Sequence, residues 1–180
     1  MSTTRSNIMS ALKQQVVNHI LPTEDCRPAY VLPDVRSKNK WGWNHPITAR
    51  LLCPMRLVVE FEQDPAYVDF PEKNVFNVFY SSFQAGVQEG RYRVTAADYP
   101  AFLYDESKYD PVNPLSSLFK GHVLLRGYCH IFTGPASWEN GEAEGGKQSR
   151  GVVNKLKAPT PQMIAYAAVM VRISGLCGSY

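Results

Sequence analysis

Four residues of this sequence pair a nucleophile with imidazoles and a fixed cation: His45, Arg50, Cys53 and His130. Three of them fall in the run His45-Pro46-Ile47-Thr48-Ala49-Arg50-Leu51-Leu52-Cys53-Pro54, directly after Trp41 and Trp43. A thiol beside an imidazole base is the minimal pair for nucleophilic attack, and Cys53 with His45 or His130 is the arrangement available. The local placement works against it. Cys53 precedes a proline at the expected C-terminal end of a short helix, where the helix dipole raises rather than lowers a thiol pKa. An enzyme of unrecognised type, with its site around His45, Arg50, Cys53 and His130, is therefore the alternative reading of the chain.

Other chemistries find less support. The four histidines (His19, His45, His122 and His130) form no HExxH, HxH or HxD pattern, so neither a zinc hydrolase nor an iron facial triad is indicated. There is no GxSxG elbow and no phosphate-binding GxxxxGK[ST] loop. The glycine-rich stretch from Gly141 to Lys147 contains Glu142 and Glu144, which would repel phosphate. No cofactor and no metal is expected.

A second cluster suits binding better than catalysis. Arg36, Lys38 and Lys40 interleave with Trp41 and Trp43, and cations alternating with indoles are a way to hold single-stranded nucleic acid. Charge along the chain is segregated. Val35 to Val59 has five cations and no acid, Glu60 to Asp110 has ten acids against four cations, and beyond Glu144 there are five cations and no acid. The basic segments 36–56 and 147–157 either face the acidic middle and are neutralised by it, or form a surface for an anionic partner. Trp43 and its neighbours likewise have two readings. They stack on a ligand, or they nail an irregular segment to the core, with Arg50 capping carbonyls or pairing with an acid of the middle segment.

The elements that must position these residues are mostly helical. Ile8, Leu12, Val16 and Ile20 recur every four residues, so residues 1–22 are expected to carry an amphipathic N-terminal helix closed by Pro22. Residues 23–180 form a single, mostly helical domain with long loops. From Pro22 to Phe70 the chain is proline-rich and without sustained period, apart from a short helix around Ile47–Leu52. Arg56–Phe61 reads as a strand or a further helical turn. Pro71–Glu89 is expected to be helical, with Gly90 as its stop. Thr95–Asp98 resembles a capping box, and Ala101–Tyr104 an aromatic anchor. Leu115–Phe132 reads as one helix whose face joins Leu115, Leu118, Phe119, His122, Leu125, Cys129 and Phe132, with Gly121 and Gly127 allowing close helix approach. The last helix opens on Thr160-Pro161. The expected fold is thus mainly α, a single domain of about four main helices with a long irregular N-terminal segment packed on it.

With 180 residues and 44% hydrophobic residues, the chain is long and apolar enough for one packed core. No run reaches the roughly 18–20 apolar residues needed to span a bilayer. No apolar segment follows the N-terminus as a secretion signal would require. Cys26, Cys53, Cys129 and Cys177 are far apart, which favours free thiols in a reducing, intracellular (cytoplasmic or nuclear) setting.

Four motifs in order carry a resemblance: Trp43–Pro54, Tyr99-Pro100-Ala101-Phe102-Leu103-Tyr104, His130-Ile131-Phe132-Thr133-Gly134-Pro135-Ala136-Ser137, and Ile164-Ala165-Tyr166. Together they resemble a domain family of unknown function expanded in mushroom-forming (basidiomycete) fungi, over about Trp41 to Ser174. The resemblance implies an intracellular fungal protein and brings no assigned activity, cofactor or catalytic residue. Members of that family continue past the last helix, so the ending at Tyr180 favours a partner or a fragment. The leading functional expectation is a non-catalytic interaction domain that binds protein or nucleic acid. A homo-oligomeric scaffold is a third reading.

Overall fold

Prolines bracket the first described α-helix. In the computed structural model, which describes residues 42–44, 46–63, 85–86, 89–134 and 158–173, Pro46 opens helix α1 (Pro46–Leu52) and Pro54 follows its end. A 3-10 turn at Gly42–Asn44 precedes it, and the Thr48 hydroxyl donates to the Gly42 carbonyl at 2.5 Å. After Pro54 comes a 3-10 turn, Met55–Leu57, that runs into α2 (Val58–Glu62). Of the two readings for Arg56–Phe61, the helical one holds. Leu57, Val58 and Phe61 are buried while Val59 and Glu60 are exposed, a helical rather than an alternating pattern.

The anchor Ala101-Phe102-Leu103-Tyr104 is the hub of the core. All four residues are buried, the first three in a 3-10 turn. On one side, Ala101 N–H donates to the Cys53 carbonyl at 2.9 Å, and Met55 N–H donates to the Tyr99 carbonyl at 3.1 Å. On the other, Asp105 N–H donates to the Ser117 carbonyl at 3.0 Å and Gly121 N–H to the Leu103 carbonyl at 3.2 Å. These bonds leave two isolated antiparallel bridges, Pro54 with Pro100 and Tyr104 with Leu118. There is no strand among the described residues.

Helix α3 spans His122–Phe132, not Leu115–Phe132 as the periodicity predicts. Two features delay its start. Phe119 has φ of 61°, a left-handed conformation that interrupts a helix. Gly121 then lies against the backbone of Phe102 and Leu103, where a Cβ would collide with the Phe102 carbonyl oxygen. The earlier residues form a separate 3-10 turn, Pro114–Ser116. The predicted face also differs. Val123, Leu124, Gly127 and His130 are inside, whereas Leu125 is half-exposed.

Helix α4 (Pro161–Val171) begins as its sequence predicts. The Thr160 hydroxyl oxygen accepts from Met163 N–H at 3.3 Å, with Pro161 in the first turn. α3 and α4 pack antiparallel: Gly127 meets Val171 at one end, and the Phe132 and Tyr166 rings lie 6.2 Å apart at the other. Their inner faces join Leu51, Leu52 and the anchor in the main core. Ala49, Cys53, Leu57 and Phe61 form a second cluster, and Trp43 packs against both. The described part is thus mainly helical, as expected. The predicted helix at Asn7–Ile20 and nearly all of that at Pro71–Glu89 lie outside the described residues.

Gly127 sets the closest approach of α3 to α4, because a Cβ there would overlap Cγ2 of Val171. Gly127→Ala is expected to destabilise the protein by about 1–3 kcal/mol through overpacking. Val171→Ala in the same chain should recover part of that loss. Urea denaturation of the single and double variants checks both outcomes.

Candidate functional site

The polar centre of the described structure is built on Arg50, in the last turn of α1, where a cation also complements the helix dipole. Its Nε donates to Glu62 Oε1 at 2.5 Å. Its two terminal nitrogens donate to the two carboxylate oxygens of Glu106, Nη1 at 2.9 Å and Nη2 at 2.7 Å. Glu62 ends α2, and Glu106 opens the 3-10 turn Glu106–Lys108. One guanidinium thus ties three elements, with the bidentate fork on Glu106 that only arginine supplies. Burial lowers the Arg50 pKa, but hydrogen bonds and charge from Glu106 and Glu62 outweigh it, so the group is held above its ordinary value.

A second bridge runs parallel. Arg56 donates through Nε and Nη2 to the Asp98 carboxylate, and through Nη2 to the Arg93 carbonyl. Thr95 donates to Asp98 Oδ2 from its N–H at 2.6 Å and from its hydroxyl at 2.9 Å. The residues that resemble a capping box, Thr95–Asp98, close a turn and present the Asp98 carboxylate to Arg56. That bond, with the two from Thr95, holds the Asp98 carboxyl well below the usual range. Arg50 and Arg56 come from the first basic segment, and Glu62, Asp98 and Glu106 from the acidic middle. In this part of the chain the two segments face and neutralise each other.

Cys53 is fully buried in the second cluster. Burial pushes its thiol up to about 12, and the nearby Arg50 charge only partly offsets this. A thiol so placed stays protonated at neutral pH. His130 is buried on the inner face of α3, and Cys129 is half-buried beside it. Trp43 is half-buried between the two core clusters. The residues Arg36, Lys38, Lys40, Trp41 and His45, and the second basic segment 147–157, lie outside the described residues. Among the described residues no three His, Cys, Asp or Glu side chains gather as a metal-ligand set, and no helix is long and apolar enough to cross a membrane.

Exposed apolar residues also lie on α3 and on and just beyond α4, at positions whose direction the sequence does not mark. Leu125 is 50% exposed, Val169 53%, Ile173 44% and Tyr166 37%. Within the apolar stripe Leu125, Cys129 and Phe132, Leu125 is outward, Cys129 is half-buried and Phe132 packs against the main core. Val123 and Leu124, two and one positions before Leu125, take the core, so the helix is apolar on two sides. A smaller aromatic outcrop, the Tyr99 and Phe119 rings 6.3 Å apart, lies on the loops before α3.

These features define a mainly helical domain with an arginine–carboxylate clamp and an apolar helical face. The chain belongs to a family described as Family of unknown function (DUF6698), whose model matches residues 1–174. No curated protein and no solved structure matches it.

Acidification should separate the Asp98 bridge from the rest of the fold. With its folded pKa depressed, Asp98 contributes stability that is complete above its unfolded value, about 3.9. That contribution is lost as pH falls below it. Between about pH 5 and 2 the melting temperature of the wild type is expected to fall more steeply than that of Asp98→Asn, which lacks this contribution throughout. Parallel melting curves would contradict the assignment.

Proposed function

We propose that this protein is a non-catalytic, intracellular interaction domain whose partner is another protein. The observation that carries this reading is one side of α4, where Tyr166, Val169 and, just past the helix end, Ile173 stand 37%, 53% and 44% exposed. Exposed apolar area concentrated on one regular surface marks a protein contact more often than isolated apolar residues do.

Two further observations weigh against the competing readings. The catalytic alternative needs Cys53 as a thiolate, and burial keeps it a thiol. The nucleic-acid reading needs free cations beside stacking indoles. Arg50 and Arg56 of that segment are held by carboxylates, and Trp43 is packed between the two core clusters. Arg36, Lys38, Lys40 and Trp41 remain the residues on which that reading would rest. The free thiols Cys53 and Cys129 fit a reducing compartment, and the resemblance to a family expanded in mushroom-forming fungi makes a fungal cell the working setting.

Filter binding of single-stranded DNA and RNA at low salt tests the choice of partner. The expected result is no retention. Retention that falls steeply with added salt, and is lost on replacing Lys38 and Lys40 by alanine, would instead establish the nucleic-acid reading.

A further inference from the structure

The loop between the anchor and α3 is firmly held, yet apolar at its most exposed positions. The chain leaves the anchor at Asp105 and returns at Ser117, where Asp105 N–H donates to the Ser117 carbonyl at 3.0 Å and Tyr104 bridges Leu118. A surface loop whose ends meet in this way is a compact unit packed by its own residues. Glu106 ties it to Arg50, and the Tyr109 ring stands edge-on to Tyr104 with centroids 5.5 Å apart. Its outer part is folded by short bonds of its own. Val112 N–H donates to Asp110 Oδ1 at 2.9 Å, Asn113 N–H to the Asp110 carbonyl at 3.1 Å and Ser116 N–H to the Asn113 carbonyl at 3.1 Å. Lys120 Nζ donates to the Ser116 carbonyl at 2.8 Å. Pro111 and Pro114 fix two further backbone angles.

This loop displays Val112, 93% exposed, and Leu115, 67% exposed, the two most exposed large apolar residues described. Single exposed apolar residues are ordinary. Two that project from one preformed loop offer a contact whose ordering cost is already met before binding. The loop is also acidic, with Asp105, Glu106 and Asp110 against Lys108. Asp105 is paired with Lys108 and Glu106 with Arg50. Among the described residues no cation pairs with the exposed Asp110 beside the apolar tip.

We infer that the loop Asp105–Ser117 is a preformed recognition element that enters an apolar pocket on a partner protein, with Val112 and Leu115 in the pocket and Asp110 against a cation at its rim. This inference rests on the interaction-domain reading and adds to the α4 side a second contact of stated chemistry. The partner's surface is concave because the loop projects. An anionic membrane or a nucleic acid fits less well, since either would meet Asp110 with like charge. A second copy facing the loop about a two-fold axis fits less well too, because that contact sets the same loop, and its Asp110, against itself.

The experiment places the photo-crosslinking residue p-benzoylphenylalanine in the full chain, either at the Asn113 position between the two apolar side chains or at the Ala165 position on the exposed side of α4. Each protein is irradiated in extract of the cells that natively make it, and the cross-linked residues are mapped by mass spectrometry. The expected result at the Asn113 position is cross-linking to one other polypeptide, at apolar residues with a Lys or Arg beside them. Excess unlabelled wild-type chain should lower the yield at least tenfold. Val112→Ser/Leu115→Ser should not compete, and Asp110→Asn should compete several-fold less well than the wild type. Both variants change exposed side chains and are expected to keep the wild-type circular dichroism. No cross-link at the Asn113 position, or competition by the serine variant equal to the wild type, would overturn the loop assignment. So would adducts there with lipid, nucleic acid or a second copy of the chain. Protein adducts from the Ala165 position alone sink the loop and leave the interaction-domain reading standing; no protein adduct from either position sinks that reading as well.

Discussion

Arg50, in the last turn of α1, is a largely shielded cation, and two carboxylates from elsewhere in the chain meet it. Glu62 arrives through α2, immediately after the Pro54 turn, and Glu106 arrives from a loop more than fifty residues later. Removing either acid would leave a part-buried guanidinium with incomplete compensation, which costs more than an exposed pair would. The backbone bonds between Cys53 and Ala101 and between Met55 and Tyr99 occur beside this triad. Closing the triad therefore brings the anchor Ala101–Tyr104 against α1, and the anchor in turn seats Gly121 and the start of α3.

The same arrangement decides which chemistry is open to the motif. A cysteine and an arginine three residues apart on a short helix resemble a reactive pair in sequence. In the fold, Arg50 is turned toward Glu62 and Glu106, and Cys53 is turned into the apolar cluster of Ala49, Leu57 and Phe61. Arg56 is engaged by Asp98 in the same manner. The segment that is richest in chemistry-bearing residue types serves as a clamp.

Signals in the sequence are legible where the cause is local. Thr160-Pro161 starts α4 because a hydroxyl and a proline satisfy the first turn by themselves. Pro46 and Pro54 bound α1 for equally short-range reasons. The pairing of Arg50 with an acid of the middle segment was open to charge segregation, although which acid was not. What the sequence concealed depended on distant contacts. Residues Leu115–Phe119 have helical spacing, yet the backbone of Phe102 and Leu103 needs Gly121 beside it and α3 starts only after that contact. The direction of Leu125 was equally hidden, because α3 is apolar on two sides and only packing against α4 and the anchor selects the inner one.

Arg50 and Glu106 act as a coupled unit joining α1 to the Glu106–Lys108 turn. A double-mutant cycle with Arg50→Met and Glu106→Gln, measured by urea denaturation at neutral pH, tests it most directly. The account predicts that each single change destabilises the protein and that the double change costs less than their sum, with a coupling of about 0.5–3 kcal/mol. Additive losses, or single variants as stable as the wild type, would contradict it.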